Sequence, residues 1–229
     1  MNVNIKEIDK ILFLDASSFL VQAGILSGNK WLGYFRSEEP ALQSIFQGIE
    51  VCLQMAGLSF SNITGFAYCE GPGSLLGIRL VSMAIRGWKA QKDFKDLPVY
   101  AYNSFELSSA LIKKVHNPPG LYAVVSQSRR GFWNILKSSE NGKDEKVAEV
   151  GESDLKLFPG GIWLFKQKKL SAAEGDFQKM AFDYNLEECP EIFAQCALLR
   201  LVDEPDALFV CETEYLKWDS KRHSLGDKK

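Results

Sequence analysis

The sequence predicts an α/β fold, and three stretches carry that expectation. Residues 63–69 form a short apolar run rich in aromatic and β-branched side chains, the mark of a buried strand. The chain then turns through Gly71-Pro72-Gly73 into a segment where Ile78, Val81, Ile85 and Trp88 recur at three- and four-residue steps, the spacing of one helix face. Upstream, residues 11–14, 20–26 and 31–35 read as successive strands, the first ending in Asp15 and the last two joined by the turn Ser27-Gly28-Asn29-Lys30.

Between these stretches, Pro40 suits a first helical position, with Glu38 and Glu39 beside the positive end of the helix. Leu42, Ile45, Phe46, Ile49, Cys52, Leu53 and Ala56 then keep the helical spacing as far as Gly57, a fitting C-terminal stop. Residues 97–102 form another strand, and Ser104 is expected to cap a helix running to Lys114. His116-Asn117-Pro118-Pro119-Gly120 is the strongest breaker in the chain. It divides an N-terminal lobe, 1–115, from a smaller C-terminal lobe, 116–229.

The second lobe opens with strands at 121–126 and 132–137 around a turn at Arg129-Arg130-Gly131. A charged turn at 141–146 and a strand at 162–165 follow, then a solvated basic run at 166–169. A helix is expected from Glu191 to about Val202, with Ile192, Phe193, Cys196 and Leu199 on its inner side. The tail, 219–229, is polar and expected to be loose.

Composition narrows the functional classes. With 46% hydrophobic and 24% charged residues over 229 positions, the chain can bury a sizeable core. A net charge of -2 argues against a protein that grips nucleic acid unaided. The five cysteines (Cys52, Cys69, Cys189, Cys196, Cys211) are odd in number and form no Cys-x-x-Cys pair, which suits a reducing cytosol. No apolar run reaches membrane-spanning length and the start lacks a signal-peptide core, so the expected location is cytoplasmic, away from membranes. His116 and His223 each lack a His or Cys at ligand spacing, so no metal site is expected.

A strand, a glycine-rich turn and a helix start together make a ready anion site, here with Gly71, Gly73, Ser74 and Asp15 as candidates. None of the familiar phosphate or nucleophile motifs is met. A P-loop needs Lys-Ser or Lys-Thr where Ile78-Arg79 stands, and the dinucleotide fingerprint needs a glycine one position before Gly77. A nucleophile elbow needs glycines where Pro72 and Leu76 flank Ser74. Ser74 is therefore read as the helix cap. The helix itself is too apolar for one sheet: between Leu75 and Gly87 only Arg79, Ser82 and Arg86 are polar, and they share one stripe. A second packing partner is expected on its other side.

At this point the residues carry a resemblance. Gly71-Pro-Gly-Ser-Leu-Leu-Gly-Ile-Arg79 is similar to the Gly-Pro-Gly-Ser-Phe-Thr-Gly-Ile-Arg signature of the TsaB (YeaZ) family, which serves tRNA threonylcarbamoyladenosine biosynthesis. Leu14-Asp-Ala-Ser-Ser18, Arg129-Arg-Gly131 and Tyr215-Leu-Lys217 resemble three lesser family motifs. The resemblance implies an actin-like, ribonuclease-H-like two-lobe fold of the ASKHA superfamily, with mixed sheets flanked by helices. It also implies a non-catalytic role without a cofactor. Such a subunit pairs with and activates a TsaD-type enzyme, contacts a TsaE-type ATPase, meets tRNA only indirectly, and forms a homodimer in isolation. The implied partner surface lies on the helices at about 41–57 and 74–90: Leu42, Ile45, Phe46, Ile49, Leu53, Leu76, Leu80, Met83 and Gly87. Departures from the family pattern are Leu75 and Leu76 for Phe and Thr, and Gln127 for an acid. The alternative is an actin-like ATPase or sugar kinase that uses Asp15, Ser17 and Gly73 around phosphate.

Overall fold

The fold is built outward from β1 (Ile11–Asp15), whose side chains alternate between two cores. Ile11 and Phe13 enter one, Leu12 and Leu14 the other, as the two-residue period of a strand requires. The computed structural model describes residues 9–139, 141–167, 177–188, 190–195 and 198–210. β1 pairs antiparallel with β2 (Val21–Ser27) and parallel with β4 (Gly65–Gly71). Adding β3 (Lys30–Ser37), β5 (Val99–Asn103) and β11 (Arg200–Leu201) gives a six-stranded mixed sheet in the order β11-β5-β4-β1-β2-β3.

Helices α1 (Ala41–Ala56) and α2 (Leu75–Lys89) lie on the Leu12 and Leu14 side of this sheet. Helix α3 (Ser104–His116) lies on the opposite side and packs against both sheets. The second sheet runs β10-β9-β6-β7-β8, from β6 (Tyr122–Arg129), β7 (Phe132–Ser138), β8 (Ala148–Gly151), β9 (Gly161–Leu164) and β10 (Met180–Ala181). Phe105, Leu111 and Ile112 of α3 share a core with Phe13 and Tyr102 of the first sheet and with Tyr122, Val124, Leu136 and Trp163 of the second. A third, smaller core around Trp133 and Ile135 lies on the other face of the second sheet, next to α4 (Glu152–Lys156).

Most element types follow the sequence reading, with shifts at their ends. Pro40 is the residue before α1 rather than its first, at φ -52 and ψ 140, because that extended ψ keeps it outside the helix. Gly57 ends α1 in the left-handed region at φ 64, where a side chain would be strained. The cap of α3 is Asn103, whose side chain accepts from the N–H groups of Phe105 and Glu106, so Ser104 is already helical.

The predicted helix from 191 to about 202 is met over 191–195, in α5 (Pro190–Gln195), but not over the described residues 198–202. Arg200 and Leu201 instead form the edge strand β11 antiparallel to Ala101 and Tyr100. The open edge of β5 supplies hydrogen bonds that outcompete helical spacing at that point. Strands β1 to β5 belong to the first sheet and β6 to β10 to the second, while β11 returns to the first. The carbonyl of Tyr184 accepts from Gln22 Nε2, the N–H of Leu186 donates to Gln22 Oε1, and the carbonyl of Leu186 accepts from Trp31 Nε1. Cys189, Cys196, Cys211, Lys168, Lys169, the 215–217 motif, His223 and the 219–229 tail lie outside the described residues.

Candidate functional site

Asp15 ends β1 fully buried, and its carboxylate is already occupied. It accepts from the Ser17 N–H at 2.8 Å, the Ser17 hydroxyl at 2.7 Å, the Tyr102 hydroxyl at 2.8 Å and the Tyr184 hydroxyl at 2.7 Å. A carboxylate has about four acceptor positions, and four donors meet them here. Burial, and then the nearby Asp15 charge, hold both tyrosine hydroxyls well above their usual range, so they stay protonated donors. The neighbouring Cys69 thiol is likewise pushed up, chiefly by burial.

The glycine corner is also filled by the chain itself. The Ser74 N–H donates to the Ser17 carbonyl at 2.7 Å. A Cβ on Gly73 would sit 2.3 Å from that same oxygen, and one on Gly77 would sit 2.1 Å from the Ala16 carbonyl. These glycines therefore serve the close approach of the 16–17 turn to the start of α2. The Pro72 carbonyl is taken by the Ser104 hydroxyl, and Ser74 caps the helix by accepting from the Gly77 N–H at 3.5 Å. Gly71, at φ 114, makes the turn itself. The Asp15 carboxylate, the Ser74 N–H and the Pro72 carbonyl are thus taken up inside the chain, and the close approach at Gly73 brings the 16–17 turn against the corner where an anion was expected beside Gly71, Gly73 and Ser74. Among the described residues, no group of three or more His, Cys, Asp or Glu gathers at metal-binding distance.

The outer face of α1 and α2 is different in kind. Leu42 is 66% exposed, Phe46 51%, Leu76 72% and Met83 67%. Gly87 is exposed beside open space, and Leu53 and Leu80 are half-buried along the margin. Phe46 meets Trp88 edge-on at 6.5 Å, which brings the two helices' apolar rows together. Two residues assigned to this surface do not belong to it. Ile45 and Ile49, 2% and 5% exposed, point down into the core with Leu12, Leu14 and Val81. A helix in contact with a sheet spends part of its apolar arc there, and spacing alone does not say which residues those are. Two exposed residues on these helices, Met55 and Leu75, were not singled out by spacing.

Arg79 and Arg86, the polar stripe of α2, are held by residues more than a hundred positions away. Arg86 Nε donates to the Pro205 carbonyl at 2.8 Å and its guanidinium lies 3.4 Å from the Asp206 carboxylate. Arg79 lies over the Phe209 ring at 5.8 Å. No local pattern in the sequence announces these pairings.

Comparison with known proteins speaks to the fold. Neither a protein-family model nor a curated protein matches the sequence. Solved structures do match. YeaZ from Pseudomonas aeruginosa superposes with a TM-score of 0.55 at 16% identity, over 68% of this chain and 75% of that one. A protein described as similar to peptidase YEAZ from Pseudomonas aeruginosa gives 0.54 at 15% identity, over 68% and 74%. The fold of this chain is accordingly the α/β fold seen in YeaZ, with two mixed sheets flanked by helices.

Proposed function

We propose that this chain is a non-catalytic, TsaB-like subunit that docks the outer face of α1 and α2 on a TsaD-type enzyme. In that pairing it holds the enzyme competent to transfer a threonylcarbamoyl group to tRNA adenosine beside the anticodon. Four large exposed side chains on two adjoining helices carry this reading: Leu42, Phe46, Leu76 and Met83. Burying one such side chain is worth about 1.5 to 3 kcal/mol, and the cost of association means several must be covered together. A TsaE-type ATPase would meet the same joint, tRNA would be held by the assembly, and the free chain would cover the face with a second copy.

The polar side of the molecule supports the same assignment. Asp15, the acid that a nucleotide-binding relative would turn towards phosphate or metal, is saturated by Ser17, Tyr102 and Tyr184. The test is co-purification of the chain from its own cells, with identification of what accompanies it, beside the variant Leu76→Asp. A TsaD-type protein that comes with the native chain and is lost with Leu76→Asp is the expected result. Retention by Leu76→Asp sinks the surface assignment, and saturable ATP binding by the isolated chain sinks the non-catalytic one.

A further inference from the structure

The segment from Arg200 to Phe209 runs from the edge of the first sheet to the flank of α2, and it is fastened at several points. Arg200 Nη2 donates to both carboxylate oxygens of the buried Glu70, and the Val202 N–H donates to the Val99 carbonyl at 2.9 Å. The Tyr68 hydroxyl donates to the Asp206 carbonyl and accepts from the Asp206 N–H, both at 2.9 Å. The Leu208 N–H donates to the Glu70 carbonyl at 2.7 Å, while Pro205 and Ala207 are buried. At its far end this strap holds Arg86 by a carbonyl and a carboxylate, and Arg79 by the face of Phe209.

Arg79 and Arg86 are the two cations among the otherwise apolar exposed residues of α2, beside Leu75, Leu76 and Met83. Long basic side chains left free at that flank would carry hydrated charge over the apolar rows, and covering them would require desolvating it. We infer that the strap is a regulatory clasp: fastened, it lays Arg79 and Arg86 aside and keeps the docking face apolar; released, it makes that face basic. The strap thus sets the affinity of the α1 and α2 face for an apolar partner from a segment that need not touch that partner. This inference rests on the docking role proposed above.

The test uses the full chain and the variants Tyr68→Phe and Phe209→Ala, each of which loosens the strap without removing a ring or a side chain from between the helices and the sheet. Hydrogen exchange is read first, without any partner. The amides of Asp206 and Leu208 are expected to be protected in the native chain and to exchange roughly tenfold faster in Tyr68→Phe, since one hydroxyl holds Asp206 at both its backbone groups. Unprotected amides in the native chain overturn the inference. Binding to the TsaD-type protein of the same cells is read second: both variants are expected to bind roughly tenfold more weakly, and Arg79→Gln with Arg86→Gln added to Tyr68→Phe to restore affinity. A loosened strap with unchanged affinity, or no restoration, overturns the clasp and leaves the docking face standing. A native chain with a protected strap that fails to bind overturns the docking role and the clasp with it.

Discussion

The glycine corner that leads into α2 and the outer side of that helix present opposite solutions to the same problem. At its start, polar groups of the glycine corner are matched from within: the Ser74 N–H by Ser17, the Pro72 carbonyl by Ser104, and Asp15 by a serine and two tyrosines. Along its outer side, with α1, large apolar side chains are left without cover. A buried acid whose acceptor positions are all met has little to give a ligand, whereas an uncovered apolar face gains free energy whenever something shields it.

The sharpest way to break this contrast is to place the same charge on the two sides of α1. Ile45→Asp buries an unpaired carboxylate in the core and is expected to cost more than about 4 kcal/mol, leaving little folded protein by circular dichroism. Leu42→Asp, on the exposed side, is expected to change stability by less than about 0.5 kcal/mol. Equal effects would erase the distinction between inner and outer faces.

Asp15→Ala is next in size. It orphans the Tyr102 and Tyr184 hydroxyls inside the protein and is expected to cost about 3 kcal/mol in urea unfolding. A stabilised variant would mean that Asp15 is strained rather than satisfied, as expected of an acid awaiting a ligand. Gly77→Ala, which forces a Cβ against the Ala16 carbonyl, is expected to cost about 2 kcal/mol and to lower the melting temperature, where Gly87→Ala has open space and little effect.

A subtler test is alkaline. Tyr102 and Tyr184 have folded pKa values raised above those of the unfolded chain, so their stabilising contribution is complete below about pH 10. It is lost as pH climbs beyond that value towards the folded pKa. Stability measured against pH should therefore be level through neutrality and fall above about pH 10, with a shallower fall in Tyr184→Phe.

How far the sequence revealed this molecule depends on the range of the interactions involved. Strands β1 to β5, α1 with its Gly57 stop and the glycine turn are announced by local periodicity and turn chemistry. The surplus of apolar surface on α2 was also legible, because Leu76, Leu80 and Met83 exceed what one sheet face needs. What escaped was set by distant segments. Arg200 and Leu201 lie in helical spacing but join the β5 edge, and Tyr184 reaches back across the chain to Asp15. Arg86 and Asp206 meet only in the fold. Ile45 and Ile49 share a stripe with Leu42 and Phe46, and only the position of the sheet separates them.

The central claim is that the α1 and α2 face is where this protein meets its partner. It is tested most directly by hydrogen exchange on the chain with and without the TsaD-type protein of its own cells. Slowed exchange over 42–55 and 75–87, with the hairpin around Arg129 and Arg130 unchanged, is the predicted result. Protection confined to that hairpin, or none anywhere at saturating partner, would contradict the account.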